Sequence, residues 1–325
     1  MFDREAFVAR RSPDWQELAA LLARDVPFSQ LSATSISRGA ALYRAVCADL
    51  MRARQAGSAA DVVAYLDSLT ARAHNALYGS RSYALRDAWA ALRFGFPRAF
   101  RKNWPFMLAA ALMFVVPLIV GWQGALSSPT FASSVLPLKT LEELSKAYAE
   151  GFSEGRAGQV DAAMTGFYVN NNVGIAFRCF ATGILFGIGS AFFTLYNGLS
   201  IGTVFGFVQR AGHARNLLTF VCGHSAFELT ALVIASGAGL RMGSALINTG
   251  GRSRLGSLRH HAAELAQLVS GAAAMLCIAA LIEAFWSPSS LPNVVKYVFA
   301  GVAWTSVFAF LAFAGRWQGT SRAAP

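Results

Sequence analysis

The sequence predicts an all-α protein, namely a polytopic α-helical membrane protein with an N-terminal cytoplasmic helical domain. Hydrophobic residues make up 55% of the 325 residues, charged residues only 14%, and the mean hydropathy is +0.43. A soluble domain typically carries about 25% charged residues. The apolar residues fall into segments of the length, about 20 residues, that crosses a hydrocarbon core of about 30 Å. Composition and segment length together therefore indicate a membrane protein.

Residues 1–80 are predicted to form the cytoplasmic helical domain. Three helix starts are visible, at Ser12-Pro13-Asp14, at Ser35 and at Ser58, where a side-chain oxygen can cap the first turn. Gly79 ends the third helix. The first 20 residues are rich in charge and lack a continuous apolar core, so no signal peptide is predicted and the domain is expected to stay in the cytoplasm.

Residues 81–103 are predicted to form a basic amphipathic helix that lies in the plane of the membrane surface. Its phenylalanines favour this interpretation over the alternative, a solvated helix that joins two domains. Residues 104–124 are predicted as the first transmembrane span. Trp104 and Trp122 lie at its two ends, where tryptophan is enriched at membrane–water interfaces.

Residues 125–172 are polar and mildly acidic, and they are predicted to form an extracytoplasmic segment with a helix from Leu138 to Glu150. Residues 173–316 are predicted to form a transmembrane bundle, whose first span runs from Val173 to about Leu195. The excess of basic residues elsewhere in the chain is diffuse and is better explained by membrane topology than by a nucleic-acid site.

Two segments of the bundle are predicted to be discontinuous or re-entrant helices. Gly198 to Val208 is too short to cross the membrane straight, and Asn216 to Leu240 carries ionisable residues. Weak, glycine-interrupted segments that meet around polar residues are typical of broken helices. Three glycines spaced four apart would let another helix approach closely: Gly198, Gly202 and Gly206.

Leu240 to His261 contains four arginines and no acid, which indicates a cytoplasmic loop. The last spans are Ala263 to Trp286 and Val294 to Gly315, and residues 317–325 are a cytoplasmic tail. The positive-inside rule then places both termini in the cytoplasm, with an even number of crossings made of four spans and the irregular pair. This scheme places two basic residues near the outer side, where the positive-inside rule does not expect them: Arg210 and Arg215.

His224 and Glu228 are the strongest candidates for chemistry, because a carboxylate and an imidazole four residues apart share one helix face. An ionisable side chain at membrane depth costs about 2.5–3.5 kcal/mol or more and usually faces a bundle interior or a cavity. Three roles stay open: a polar staple between helices, proton or ligand handling, and catalysis. Ser225 is a poor nucleophilic partner for His224, since adjacent helical residues point about 100° apart.

The sequence predicts no catalytic residue, no cofactor and no metal ligand, and the protein is not expected to be an enzyme. No HExxH motif is present, and the membrane half has few other His, Cys or Asp residues that could complete a metal site. The phosphate-binding pattern GxxxxGK[ST] is also absent, so the chain itself is not expected to hydrolyse ATP.

The other polar residues of the bundle have simpler interpretations. Asn197 is expected to cap the segment that follows it and to satisfy freed backbone groups. Asn172 and Arg178 are expected near the outer end of the second span, where Arg178 would serve as an interface anchor.

Several motifs in this order resemble the stage II sporulation protein M family, in its longer branch found in non-sporulating bacteria. The most specific is the GHxxxEL element, Gly223 to Leu229, which carries His224 and Glu228 as hallmark residues. The remaining motifs are Phe7-Val8-Ala9-Arg10-Arg11 with Trp15, Arg72-Ala73-His74-Asn75-Ala76-Leu77-Tyr78, Phe96-Pro97-Arg98, Asn171-Asn172, Tyr196-Asn197-Gly198-Leu199 and Gly237-Ala238-Gly239-Leu240-Arg241.

The resemblance implies an integral membrane scaffold or assembly factor for cell-envelope (peptidoglycan) remodelling in the bacterial inner membrane. The partners it implies are peptidoglycan-degrading enzymes or a MoxR-type AAA+ ATPase system, besides membrane lipid; further copies of this chain are an open alternative. The rival function is a transporter or channel with His224, Glu228 and Asn197 around a polar cavity. A sealed His224/Glu228 pair would favour the scaffold, and a pair that opens to a cavity would favour transport.

Overall fold

The computed structural model describes residues 4–23, 31–78, 85–150 and 171–316, and these ranges consist of helices and turns without a strand. The chain divides into two compact units, Met1–Ala84 and Leu85–Pro325. Among the described residues, five helices are long and apolar enough to cross a membrane. The all-α, polytopic fold predicted from composition is thereby confirmed.

The first unit is a bundle of three helices, α1 (Arg4–Leu22), α2 (Ala33–Gln55) and α3 (Ala60–Tyr78). Each contributes an apolar stripe at helical spacing, and the stripes bury one another in a common core. The Ser32 hydroxyl caps α2 by accepting the Ser35 backbone N–H. The centre of the core is formed by Trp15, Leu18, Leu42, Val46, Leu66 and Leu69.

The helix start predicted at Ser12-Pro13 is wrong, because α1 begins at Arg4 and runs through Pro13. Proline has no N–H to donate to the carbonyl four residues earlier, which here belongs to Ala9. The Ser12 hydroxyl donates to that carbonyl instead, at 3.4 Å. Ser12 therefore does not cap a helix but satisfies a backbone carbonyl inside a longer one.

A buried carboxylate joins α1 to α2 in this unit. Asp49 is 1% exposed and accepts hydrogen bonds from the Arg11 Nε at 2.8 Å and the Trp15 Nε1 at 3.0 Å. A buried charge is tolerated when it is paired and hydrogen-bonded in this way.

The second unit is a helical bundle that begins with three short segments and continues with the long helices. The short segments are α4 (Leu85–Ala90), a π-helical turn (Ala91–Gly95) and α5 (Phe96–Lys102). The rest are α6 (Trp104–Ser127), α7 (Pro129–Val135), α8 (Leu138–Glu150), α9 (171–181), a 3₁₀ turn (Thr182–Ile184), α10 (Ile188–Arg210), α11 (Ala214–Ile247), α12 (Arg254–Leu281) with a π-helical end (Ile282–Trp286), and α13 (Asn293–Phe313).

The segment predicted as a membrane-surface helix, 81–103, is instead partly built into the bundle where the structure describes it. Phe96 is 2% exposed and packs on α12, where an added Cβ at Gly271 would lie 2.2 Å from its ring. Arg101 donates to the Leu311 and Ala314 carbonyls. Its side chain thus satisfies carbonyls left free at the end of α13.

The predicted span from Val173 to Leu195 is wrong in its bounds, because the chain turns between α9 and α10. Phe186 (φ 54°) and Gly187 (φ 86°) reverse its direction. The turn lies against α11, where an added Cβ at Gly239 or Gly243 would meet backbone atoms of 179–187 within 2.2–2.6 Å. The interruption predicted near residue 198 thus falls earlier. Arg178 accordingly lies beside this turn and not at the outer end of a span.

The segment from Gly198 to Val208 is not a separate re-entrant piece, since it belongs to the continuous α10. The three glycines that the sequence singles out lie against α6. Cβ atoms added at Gly198, Gly202 and Gly206 would lie 2.2, 2.0 and 2.2 Å from the carbonyl oxygens of Phe114, Leu118 and Trp122. Because both series of residues rise by four, the two helices run parallel.

The two ends of the bundle can be told apart by their polar residues. At one end, which we call the basic end, Glu264 pairs with Lys102 and Arg241 and accepts the Asn103 Nδ2 at 2.6 Å. The predicted loop Leu240–His261 is much shorter in the structure and comprises only residues 248–253. The ion pair between Arg241 and Glu264 accommodates charge within the longer helices α11 and α12. At the opposite end the helix α6 stops, and Arg210 donates to two of its last carbonyls, those of Leu126 and Ser127.

Candidate functional site

His224 and Glu228 face the same side of α11, as their spacing predicts. The His224 Nε2 lies 3.6 Å from the Glu228 Oε2, and His224 is 4% exposed. At about 1.5 Å per residue, Glu228 lies roughly 21 Å along a helix that begins at Ala214. The pair therefore lies deep in a bundle whose hydrocarbon belt is about 30 Å thick.

A second carboxylate, Glu283, completes a cluster with this pair. Ligand atoms of His224, Glu228 and Glu283 all lie within 4.8 Å of one another, and we call these three residues the polar cluster. Glu283 lies in the π-helical end of α12, where the Ser287 N–H bonds to the Ile282 carbonyl at 2.8 Å. Single π-helical turns are frequent at functional sites because they change the direction in which a side chain points.

Further helices hold the cluster in place through hydrogen bonds. The Ser287 hydroxyl lies 3.0 Å from the His224 Nδ1, and the Asn172 Nδ2 of α9 donates to the Glu283 Oε2 at 3.4 Å. Lys296, buried at the start of α13, donates its Nζ to the Ser287 carbonyl at 2.8 Å. Four helices, α9, α11, α12 and α13, thus converge on the cluster and fix its side chains.

The glycine of the GHxxxEL element explains how these elements come so close. A Cβ added at Gly223 would lie 3.1 Å from the Trp286 Cδ1, which is tighter than ordinary contact. Because Gly223 has no side chain, the π-helical end of α12 can pack against α11 at this point. Gly223 is adjacent to His224, and Trp286 is three residues from Glu283.

A cavity of ≈ 410 Å³ adjoins the polar cluster, and all three of its residues line it. Its apolar walls come from α6, α8, α10 and α11. Glu228 keeps 26% of its side-chain surface exposed, and this surface faces the cavity. The Ser200 hydroxyl also lines the cavity and has no hydrogen-bond partner among the described residues. The His224/Glu228 pair is therefore not sealed by its neighbours.

The other residues predicted for the site lie in different places: some at the cavity or the cluster, and one inside α10. Ser225 lines the cavity, but its hydroxyl donates to the Cys222 carbonyl of its own helix at 3.0 Å. Asn197 does not cap a helix: it lies inside α10 and donates to the Phe193 carbonyl at 2.7 Å, and other residues of α10 line the cavity. Asn172 lies at the polar cluster and not at an outer end, because α9 begins at the depth of the cluster.

Two carboxylates lie close together in the cluster, because the ligand atoms of its three residues are within 4.8 Å of one another. If both are ionised, they repel each other by about 3 kcal/mol at an effective dielectric constant of about 20. A proton or a cation between Glu228 and Glu283 would remove this repulsion. The arrangement can therefore bind a cation, exchange protons, or hold a polar ligand by hydrogen bonds.

The sequence interpretation missed Glu283 and Lys296, and with them the third member of the cluster. The expectation of no metal site counted His, Cys and Asp residues and overlooked Glu283, which offers a third ligand atom beside His224 and Glu228. Glu283 could have been found from the sequence, because it is an acid inside the apolar segment Ala263–Trp286. An ionisable residue at membrane depth is the same indication that singles out Glu228.

The matches to family models follow the division of the chain into two units. Residues 5–79, in the first unit, match a family model described as Domain of unknown function (DUF8413). Residues 110–288 match the model described as Stage II sporulation protein M, and this match contains the whole polar cluster. No curated protein and no solved structure matches the chain. Since the second family match spans more than half of the 325 residues, the chain belongs to the stage II sporulation protein M family.

Proposed function

We propose that this chain is a transporter- or channel-type membrane protein in which the polar cluster binds an ion or a small polar ligand. The observation that carries the proposal is that His224, Glu228 and Glu283 line a cavity of ≈ 410 Å³. Of the two functions that the sequence left open, a scaffold needs only a sealed pair, whereas transport needs a polar site with access. The proposed role requires no chemical step, so the protein is proposed not to be an enzyme.

The direction of access supports this role. The cavity is lined by Trp122 near the end of α6, by Tyr148 on α8 and by Leu217 near the start of α11. From Leu217 to Glu228 the distance along α11 is about 16 Å. The cavity thus extends from the end opposite the basic end to about the middle of the bundle.

We further propose that the protein lies in the bacterial inner (cytoplasmic) membrane with its N-terminus in the cytoplasm. Arg98, Lys102 and Arg241 lie at the basic end, and the positive-inside rule assigns such an end to the cytoplasm. Arg210, which did not fit this rule in the sequence, is accounted for by its bonds to the α6 carbonyls. The cavity would then be reached from outside the cytoplasm.

The test is the reactivity of a cysteine in the cavity wall with a charged, membrane-impermeant thiol reagent. Ile201 lines the cavity, so Ile201→Cys, in a chain lacking the native cysteines, should be labelled in intact cells. Two controls should stay unlabelled: Thr203→Cys, which is buried on the same helix, and Val116→Cys, which is exposed on α6 but faces lipid. Failure of Ile201→Cys to react, in a folded and abundant protein, would rule out a cavity that is open to water.

A functional arm uses Glu228→Gln, which keeps the shape of the side chain but removes its charge. Transport predicts that this variant is abundant and folded yet fails to complement a deletion strain. Thr230→Ser, a conservative change on the same helix outside the cluster, serves as the control. Full complementation by Glu228→Gln would show that the charge is dispensable.

A second candidate, the scaffold or assembly factor for envelope remodelling, is favoured by one observation. Residues 5–79 match a family model of their own and fold around a separate core, as a partner-binding domain does. We propose peptidoglycan-degrading enzymes or a MoxR-type AAA+ ATPase system as its partners. Capture of the full chain in mild detergent with mass spectrometry tests this: a scaffold should retain such partners equally in the wild type and in Glu228→Gln. If neither class is enriched over a mock capture, the scaffold proposal fails.

A further inference from the structure

We infer that the polar cluster is a binding site for a divalent transition-metal cation, with Zn²⁺ as the best match. His224 Nε2 and one carboxylate oxygen each from Glu228 and Glu283 would be its ligands. The inference rests on the proposed function in one respect, because it names the class of ligand for the same site.

The distances fit such a cation. With metal–ligand bonds of about 2.0–2.2 Å, the ligand atoms of a tetrahedral site lie about 3.3–3.6 Å apart. The His224 Nε2 and the Glu228 Oε2 are already 3.6 Å apart, and no pair in the cluster exceeds 4.8 Å. Rotation of carboxylate groups can close the remaining gap without movement of a helix.

The donor atoms select the class of metal. Ca²⁺ and Mg²⁺ prefer oxygen ligands alone, whereas an imidazole with carboxylates suits Zn²⁺ and its first-row neighbours. Three protein ligands with a free position are typical of sites where zinc keeps a water or a substrate. Here the free position faces the cavity, because all three ligands line it.

The surroundings of the ligands are also those of a metal site. A metal-bound histidine usually hydrogen-bonds through its other ring nitrogen, which fixes the tautomer and the ring orientation. In this chain the Ser287 hydroxyl lies 3.0 Å from the His224 Nδ1, so the Nε2 is directed toward Glu228. Asn172 holds Glu283 in the same manner. These contacts come from two other helices and do not follow from the spacing within α11.

The experiment measures metal binding to the full-length chain, purified in detergent with a tag free of histidine and stripped with a chelator. Zn²⁺ alone is titrated by calorimetry, and Co²⁺ alone is added as a spectroscopic probe, because its visible absorption is strong only in four-coordinate sites. We expect one equivalent of either metal per chain. His224→Ala and Glu283→Gln should each weaken binding by at least about tenfold, because loss of a residue that only hydrogen-bonds a ligand already costs about 10–100-fold.

Two controls keep the result decisive. His213→Ala removes a histidine next to the first residue of α11, outside the cluster, and should bind metal like the wild type. Glu283→Gln is nearly isosteric, so a monodisperse elution profile establishes that this variant is folded. Absence of stoichiometric binding to the wild type, or unchanged binding in both cluster variants, would overturn the inference.

The outcome is separable from that of the proposed function. A labelled Ile201→Cys cavity together with no metal binding refutes the metal alone and leaves protons or a polar ligand at the site. An unlabelled cavity together with stoichiometric metal binding refutes transport alone and makes the cation a structural part of the bundle.

Discussion

His224 Nδ1 lies 3.0 Å from the hydroxyl of Ser287, a residue that follows the π-helical end of α12. The bond joins the hallmark residue of α11 to a neighbouring helix. It also leaves the other imidazole nitrogen facing Glu228. The Ser287 hydroxyl thus contributes to the contact between α11 and the end of α12 and orients the His224 imidazole in the polar cluster.

Removal of this hydroxyl should loosen the site without unfolding the protein. Ser287→Ala leaves the buried His224 Nδ1 without its partner and should lower the free energy of unfolding by about 1–3 kcal/mol. If the cluster binds a metal, its affinity should fall about 10–100-fold. Thermal unfolding in detergent and metal titration measure the two effects. Ser289→Ala is the matched control, because among the described residues its hydroxyl bonds to the Trp286 carbonyl and not to His224. Equal behaviour of the two variants would show that the His224 contact is unimportant.

The parallel contact between α6 and α10 should be intolerant of even one methyl group. In Gly202→Ala the new Cβ would lie 2.0 Å from the Leu118 carbonyl oxygen, so the helices must separate. Overpacking of this kind costs about 1–3 kcal/mol. Gly301→Ala is the control, because it is also helical and its added Cβ would meet no atom within 4 Å from a described residue outside its own stretch of helix. It should be neutral or gain up to about 1 kcal/mol from helix propensity. Equal melting temperatures for the two variants in detergent would contradict the packing.

The membrane class and the long helices could be predicted from sequence because they depend on local apolar content. The position of the break between α9 and α10 could not. Hydropathy stays high through the turn, and the turn is placed by Gly239 and Gly243, residues of another helix that give its backbone room. The burial of Phe96 could not be predicted for a similar reason, since the glycine against which its ring packs lies on α12.

The candidate site shows the same limit. The spacing of His224 and Glu228 is a property of one helix and was readable. Glu283 joins them only because α12 ends in a π-helical turn that packs against Gly223. Arg210, which contradicted the charge rule in the sequence, is likewise explained by carbonyls of α6. Contacts between distant segments are not encoded in any local spacing.

The orientation of the bundle can be tested with single cysteines in a chain that lacks the native ones. Ser134 on α7 and Ser289 after α12 lie at the end opposite the basic end, so cysteines there should react with an impermeant thiol reagent in intact cells. A cysteine at Ser253, beside the start of α12 at the basic end, should react only after the membrane is permeabilised. Labelling of the Ser253 variant in intact cells would reverse the topology.

The N-terminal unit should fold by itself, because its core is complete within α1, α2 and α3. A fragment of residues 1–80 is expected to be soluble and helical by circular dichroism, with the modest stability of a domain of this size. A random-coil spectrum at low temperature would show that the unit requires the membrane or a partner to fold.

Within that fragment, the buried carboxylate should matter far more than an exposed one of the same type. Asp49→Ala leaves the Trp15 indole N–H without its partner inside the core and should cost about 1–3 kcal/mol. Asp67→Ala breaks an ion pair with Arg54 whose side chains are 60% and 50% exposed, and should cost at most about 1 kcal/mol. Urea unfolding followed by circular dichroism compares the two. Equal losses would mean that Asp49 is not the buried link between α1 and α2, because its burial and its bond from the Trp15 indole should make its loss the larger one.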